Sequence, residues 1–149
     1  MKSTKYIKYA LIAQGIILIG MGLYFISVRP SLLPEDFAYI GTDEGELGEN
    51  IPRLYNWLDK VFAVLGGYIV SSGLLFSHLG FSMDQVPKAG SIVVIFLAGA
   101  FSVGLMTVVN FIIDSDFKWL LTLFNIPWMF SLTTVYSIKQ HSLQSIIND

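Results

Sequence analysis

The chain has 149 residues, 54% of them hydrophobic, a formal net charge of −2 and no cysteine. Without cysteine there are no disulfides, thiolate nucleophiles or cysteine-ligated metal or iron–sulfur centres. Without a basic run there is no phosphate-binding surface for nucleic acid.

The mean hydropathy of +0.64 comes from four apolar runs at residues 9–28, 57–79, 91–113 and 117–138, and most charged side chains fall in the connectors or ends. A helix at 1.5 Å per residue needs about 20 apolar residues to cross a bilayer, and each run supplies them. Hydrocarbon offers no hydrogen-bond partner, so a spanning segment must satisfy its own backbone as a helix. The expected fold is therefore all-α: an integral membrane four-helix bundle in one transmembrane domain, 1–149, with a short helical segment in its outer loop, 29–56.

Lys2, Lys5 and Lys8 precede the first run. Its apolar stretch is longer than the about 7–15 residues of a signal-peptide core, and no small-x-small site follows, so it reads as a retained helix. Gly15 and Gly22 share a face and suit close helix packing. Gln14, one turn or two inside, is expected to form a hydrogen-bonded cluster with Ser71 and Ser72 of the second run.

Arg29-Pro30 ends the first helix, because proline lacks a donor and restricts its predecessor. Pro34, Glu35 and Asp36 suit the start of a short helix, which Gly41 could close. Leu32, Leu33, Phe37 and Ile40 would give it an apolar face. Residues 42–49 are rich in acids and glycine but lack calcium-loop spacing, so they read as a solvated acidic loop and not a metal site. Asn50 with Pro52 is expected to cap the second span.

Along the second run Ala63, Gly67 and Ser71 step by four, as do Ala98 with Ser102 and Ala100 with Gly104 along the third. Such spacing brings backbones together in lipid. Asn110 ends the third run. In the fourth, Pro127 cannot donate to the carbonyl of Leu123, which predicts a kink. Asn125, the freed carbonyl and Trp128 could then receive the polar head of an apolar ligand. The plainer alternative is a kink satisfied by a neighbouring helix or water. Asn110, Asn125, Pro127 and Trp128 are thus the candidate ligand-binding residues.

His78 and His141 fall at one membrane boundary. Favourable placement at helix C-termini explains them better than bis-histidine haem ligation. Leu143, Ile146 and Ile147 give the C-terminal tail an apolar face for a membrane surface or a partner. No charged residue lies deep in a span, where ion pathways need one. No catalytic motif occurs, and no cofactor or metal is expected.

An even number of spans puts both termini and the 80–88 connector on one side. Basic residues there outnumber those opposite by five to four. With three lysines leading the first helix, both termini are predicted to be cytoplasmic.

The stretches Gly22-Leu23-Tyr24-Phe25, Gly66-Gly67-Tyr68 and Gly73-Leu74-Leu75-Phe76, with the outer segment between them, resemble the DoxX-like group of small four-helix bacterial membrane proteins. The resemblance implies a bacterial inner membrane and an accessory role. Some members are similar to subunits of quinone-linked oxidoreductases, and no catalytic residue carries over.

The leading functional expectation is a non-catalytic membrane protein acting as a partner of another membrane protein, or as a homo-oligomer, among membrane lipids. The alternative is a lipid- or quinone-binding protein with its pocket near the kinked fourth helix. An oligomeric channel ranks third, with Gln14, Ser71, Asn110 and Asn125 as its sparse polar lining.

Overall fold

A computed structural model of the chain describes the backbone of residues 2–148 and the side chains of residues 4–140 and 144. The described residues form helices and connecting turns, with no strand. In order they are α1 (Lys2–Ser27), α2 (Pro34–Ile40), α3 (Glu44–Asn50), α4 (Leu54–Phe81), α5 (Ala89–Gly99), a π-helical turn (Ala100–Gly104), α6 (Leu105–Ile112), α7 (Lys118–Phe124) and α8 (Ile126–Asn148). The stretches Thr4–Ser27, Leu54–Phe81 and Ala89–Ile112 are each long and apolar enough to cross a membrane. The last of these is α5, the π turn and α6 in one rod.

The fourth apolar run departs from expectation. It divides at Asn125 into α7 and α8, so it is two helices and not one kinked helix. Pro127 is the second residue of α8, a position whose nitrogen has no intrahelical acceptor, so the missing donor costs nothing. The break falls one residue before α8, where the Asn125 N–H turns back to the Thr122 carbonyl at 3.2 Å.

α1 is the central helix, packed on α4 along one side and on α8 along another, while α8 also meets α5. The α1–α4 seam is a glycine contact. An added Cβ on Gly22 would lie 2.6 Å from the Gly66 carbonyl oxygen, and one on Gly73 would lie 2.6 Å from the Gly15 carbonyl oxygen. Gly80 continues the row against the Lys8 backbone at 2.9 Å. Gly66, Gly73 and Gly80 recur every seven residues, as do Gly15 and Gly22, the repeat that keeps two helices in contact as they wind together.

The expected row Ala63, Gly67 and Ser71 is not this seam. A Cβ on Gly67 would meet nothing within 4 Å, and Ser71 is exposed. One residue rotates a helix face by about 100°, which carries Gly67 off the contact that Gly66 makes. An added Cβ on Gly104 would lie 3.3 Å from the Gly99 carbonyl oxygen, within its own rod. The glycine of that rod which meets another helix is Gly99, covered by the Trp128 indole.

Between α1 and α4, α2 begins at Pro34, and Asp36 accepts the Leu33 N–H at 2.8 Å. Gly41, with φ +80, closes it in the left-handed conformation that glycine adopts without strain. The acidic stretch is a helix and not a loop. Asp43 caps α3 by accepting the Glu46 N–H at 2.8 Å, and Thr42 donates to Glu46 at 3.0 Å. These cap bonds outweigh the helix penalty of Gly45 and Gly48. Asn50 ends α3, and α4 starts after Arg53 with no side-chain cap, which overturns the expected Asn50 cap.

Candidate functional site

One group of polar side chains lies where α1 and the α5–α6 rod meet the α7–α8 break. The start of α8 leaves backbone N–H groups without intrahelical acceptors. One of them, on Trp128, donates to Gln14 Oε1 at 3.2 Å, and Gln14 is fully buried. A side chain of α1 thus caps α8. The Trp128 indole Nε1 donates to the Ile95 carbonyl at 3.0 Å, and its ring centroid is 6.2 Å from that of Phe96.

A second chain of bonds starts at Asn125, whose Nδ2 donates to Thr107 Oγ1 at 2.7 Å and to the Leu121 carbonyl at 2.8 Å. Thr107 in turn donates to the Val103 carbonyl at 2.8 Å. Val103 belongs to the π turn, where the Leu105 N–H reaches the Ala100 carbonyl five residues back. The wider turn shifts the side-chain register of the rod. These bonds fasten the α7–α8 break to the α5–α6 rod. Ser71 and Ser72 take no part: each donates to a carbonyl of its own helix, Gly67 and Tyr68, at 2.9 Å. The predicted Gln14–Ser71–Ser72 cluster does not form.

The large concave surface lies elsewhere. A cleft of about 1030 Å³ opens between α4 and the π turn with α6, with α1 as its floor and α7 behind it. Its volume is near the upper end of the about 300–1,000 Å³ usual for small-molecule sites. Phe62, Leu65, Tyr68 and Ile69 form the α4 wall, and Phe101, Leu105, Met106 and Val109 the facing one. Because α4 packs principally on α1, these walls stay apart. Tyr68 is 70% and Phe101 73% exposed. Ser72, Ser102 and Asn110 add a few polar groups to the lining, but their hydrogen bonds run to carbonyls of their own rods.

A polar ceiling lines the end of the cleft nearest α2. Arg29 Nη2 is 3.3 Å from Asp36 Oδ2, its Nη1 donates to the Pro30 carbonyl at 2.8 Å, and its guanidinium lies 3.7 Å from the Phe62 ring centroid. Beside this pair, Ser115 Oγ donates to Glu35 Oε1 at 2.8 Å and accepts the Phe117 N–H at 3.1 Å. Ser115 is held there by the turn at Asp114, which has φ 55 and pairs with Lys118. Arg29, Glu35, Asp36 and Ser115 all line the cleft. The assembly is an apolar trough with charged groups at one end.

Of the candidate ligand-binding residues, Asn110 lines this cleft, whereas Asn125, Pro127 and Trp128 do not. Their amide and indole donors are spent on helix packing. Sequence reading passed over Arg29, Glu35 and Ser115. Their available signal was an arginine directly after a span, followed one to two turns later by two adjacent acids. Among the described residues no group of three or more His, Asp or Glu side chains lies close enough to hold a metal. His78 Nε2 lies 3.4 Å from Ser82 Oγ. The side chains of His141, Leu143, Ile146 and Ile147 lie outside the described residues. No family model, curated protein or solved structure matches the chain.

Proposed function

We propose that the chain is a four-helix membrane bundle, with α7 and α8 together as the fourth span, that binds a lipid or lipid-like quinone in the α4–α6 cleft. The observation that carries this reading is the apolar cleft of about 1030 Å³ ending in the Arg29, Asp36, Glu35 and Ser115 groups. Its α4 wall runs from Phe62 to Ser72, about 15 Å at helical rise. That is roughly half of a 30 Å hydrocarbon core, the depth reached by the chains of one leaflet. With both termini cytoplasmic, the ceiling faces the outer leaflet.

Native mass spectra of the protein purified in mild detergent test the reading. The wild type should carry an adduct of lipid or quinone mass. Gly20 lines the cleft, and a side chain built on it would meet nothing within 4 Å, so Gly20→Phe should fold and lose the adduct. An adduct missing from the wild type, or unchanged in Gly20→Phe, would overturn the proposal.

The accessory-subunit reading draws on α3, where Glu44, Glu46 and Glu49 are exposed and offer a basic partner a surface outside the membrane. A stoichiometric second protein in the same spectra would favour it.

A further inference from the structure

The ceiling's charge narrows the ligand class, on the premise that the cleft binds an amphipath. It holds one guanidinium and two carboxylates. The guanidinium is committed to Asp36 and the Pro30 carbonyl, with its face on Phe62. The side chains of this pair are only 10% and 17% exposed, so little of the cation is open to a ligand. Glu35 has a single neutral donor among the described residues, the Ser115 hydroxyl. Its carboxylate therefore borders the cleft without a counter-charge, and the neighbouring cation of the 115–118 turn, Lys118, is paired with Asp114.

A head of net negative charge, such as that of phosphatidylglycerol or a free carboxylate, would face the like charge of Glu35 here. A quaternary ammonium brings the right charge but no N–H, whereas a primary ammonium brings the charge and three donors. We infer that the cleft selects a lipid whose polar end is a primary amine, its ammonium held by the Glu35 carboxylate beside the Arg29–Asp36 pair. In such a lipid the phosphodiester stands between the glycerol and the amine, so the terminal ammonium is the group that reaches Glu35 while the phosphate is held off by the ethanolamine linker.

The test is competition for the delipidated full-length protein among phosphatidylethanolamine, phosphatidylcholine and phosphatidylglycerol of identical acyl chains, read by native mass spectrometry. The ethanolamine lipid should be retained about tenfold over either competitor, the scale of one charge-assisted hydrogen bond. Glu35→Gln keeps the size and an acceptor for Ser115 but removes the charge. It should abolish the preference, so that the variant retains the three lipids in equal proportion. Equal retention of the three lipids by the wild type, or a full preference in Glu35→Gln, overturns the amine assignment but leaves lipid binding standing. A co-purified quinone would likewise keep the cleft reading and overturn the amine. Retention of none of the three lipids and no quinone would remove both readings together.

Discussion

Gln14 of α1 accepts the backbone N–H of Trp128, 114 residues away in sequence, at 3.2 Å. It is the polar bond that ties the central helix to the first turn of α8. Gln14→Leu would leave the Trp128 N–H buried without an acceptor. We expect a loss of no more than about 1 kcal/mol: an orphaned buried donor costs about 1–3 kcal/mol, membrane contacts fall toward the lower figure, and the substitution also removes Gln14 Nε2, which is buried with no partner among the described residues. Unfolding in a denaturing-detergent titration measures it. An unchanged midpoint would show that water or another group satisfies the donor.

The glycine seam gives a paired test. Gly73→Ala places a methyl 2.6 Å from the Gly15 carbonyl oxygen, and Gly67→Ala places one in open space. Backbone on both sides of the seam cannot yield as a flexible side chain would. Gly73→Ala should therefore destabilise by about 1–3 kcal/mol, the usual cost of overpacking. Gly67→Ala should be neutral or stabilising by up to about 1 kcal/mol, from helix propensity. The same titration compares them, and equal effects would contradict the seam.

The extents of the first three runs were legible because hydrophobic length alone sets them: 9–28, 57–79 and 91–113 fall within α1, α4 and the α5–α6 rod apart from residues 28 and 113, just past their ends. Helix α2 was legible from Pro34 and Gly41, each tied to a fixed backbone conformation. The seam was not, because Gly66 and Gly67 are adjacent and only a partner helix decides between them. The α7–α8 break was misread because Pro127 at a helix start and Pro127 at a kink give the same local pattern. The cleft was illegible for a further reason. It exists where α4 and α6 fail to pack, and an absence of packing between distant segments leaves no mark on either one.

Asn125→Leu separates the polar interior from the proposed ligand site. It removes the bonds to Thr107 and Leu121 but no group lining the cleft. We expect a stability loss of about 0.6–1.7 kcal/mol, the range from average to strongest for polar contacts between membrane helices, with lipid content unchanged in native mass spectra. Loss of lipid in a folded Asn125→Leu protein would return the ligand to the fourth run.

The Arg29–Asp36 pair is nearly buried, so its halves should not behave independently. Asp36→Ala leaves the guanidinium unpaired and also frees the Leu33 N–H. It should cost about 2–4 kcal/mol, between the exposed and fully buried limits. Adding Arg29→Met should recover part of that loss, because the unpaired charge goes with it. A double-mutant cycle on unfolding midpoints measures the coupling, and strict additivity would contradict it.

The most direct test of a ligand in the α4–α6 cleft is site-specific photocrosslinking in detergent after bulk lipid is removed. A photoreactive residue at Leu105 lies on the cleft wall, whereas one at Leu75 on α4 is 70% exposed and outside the cleft. Crosslinked lipid at position 105, with none at 75, is the result expected of a retained ligand. Equal labelling at both positions, or none at 105, would contradict a binding site there and leave the groove an ordinary lipid-covered surface.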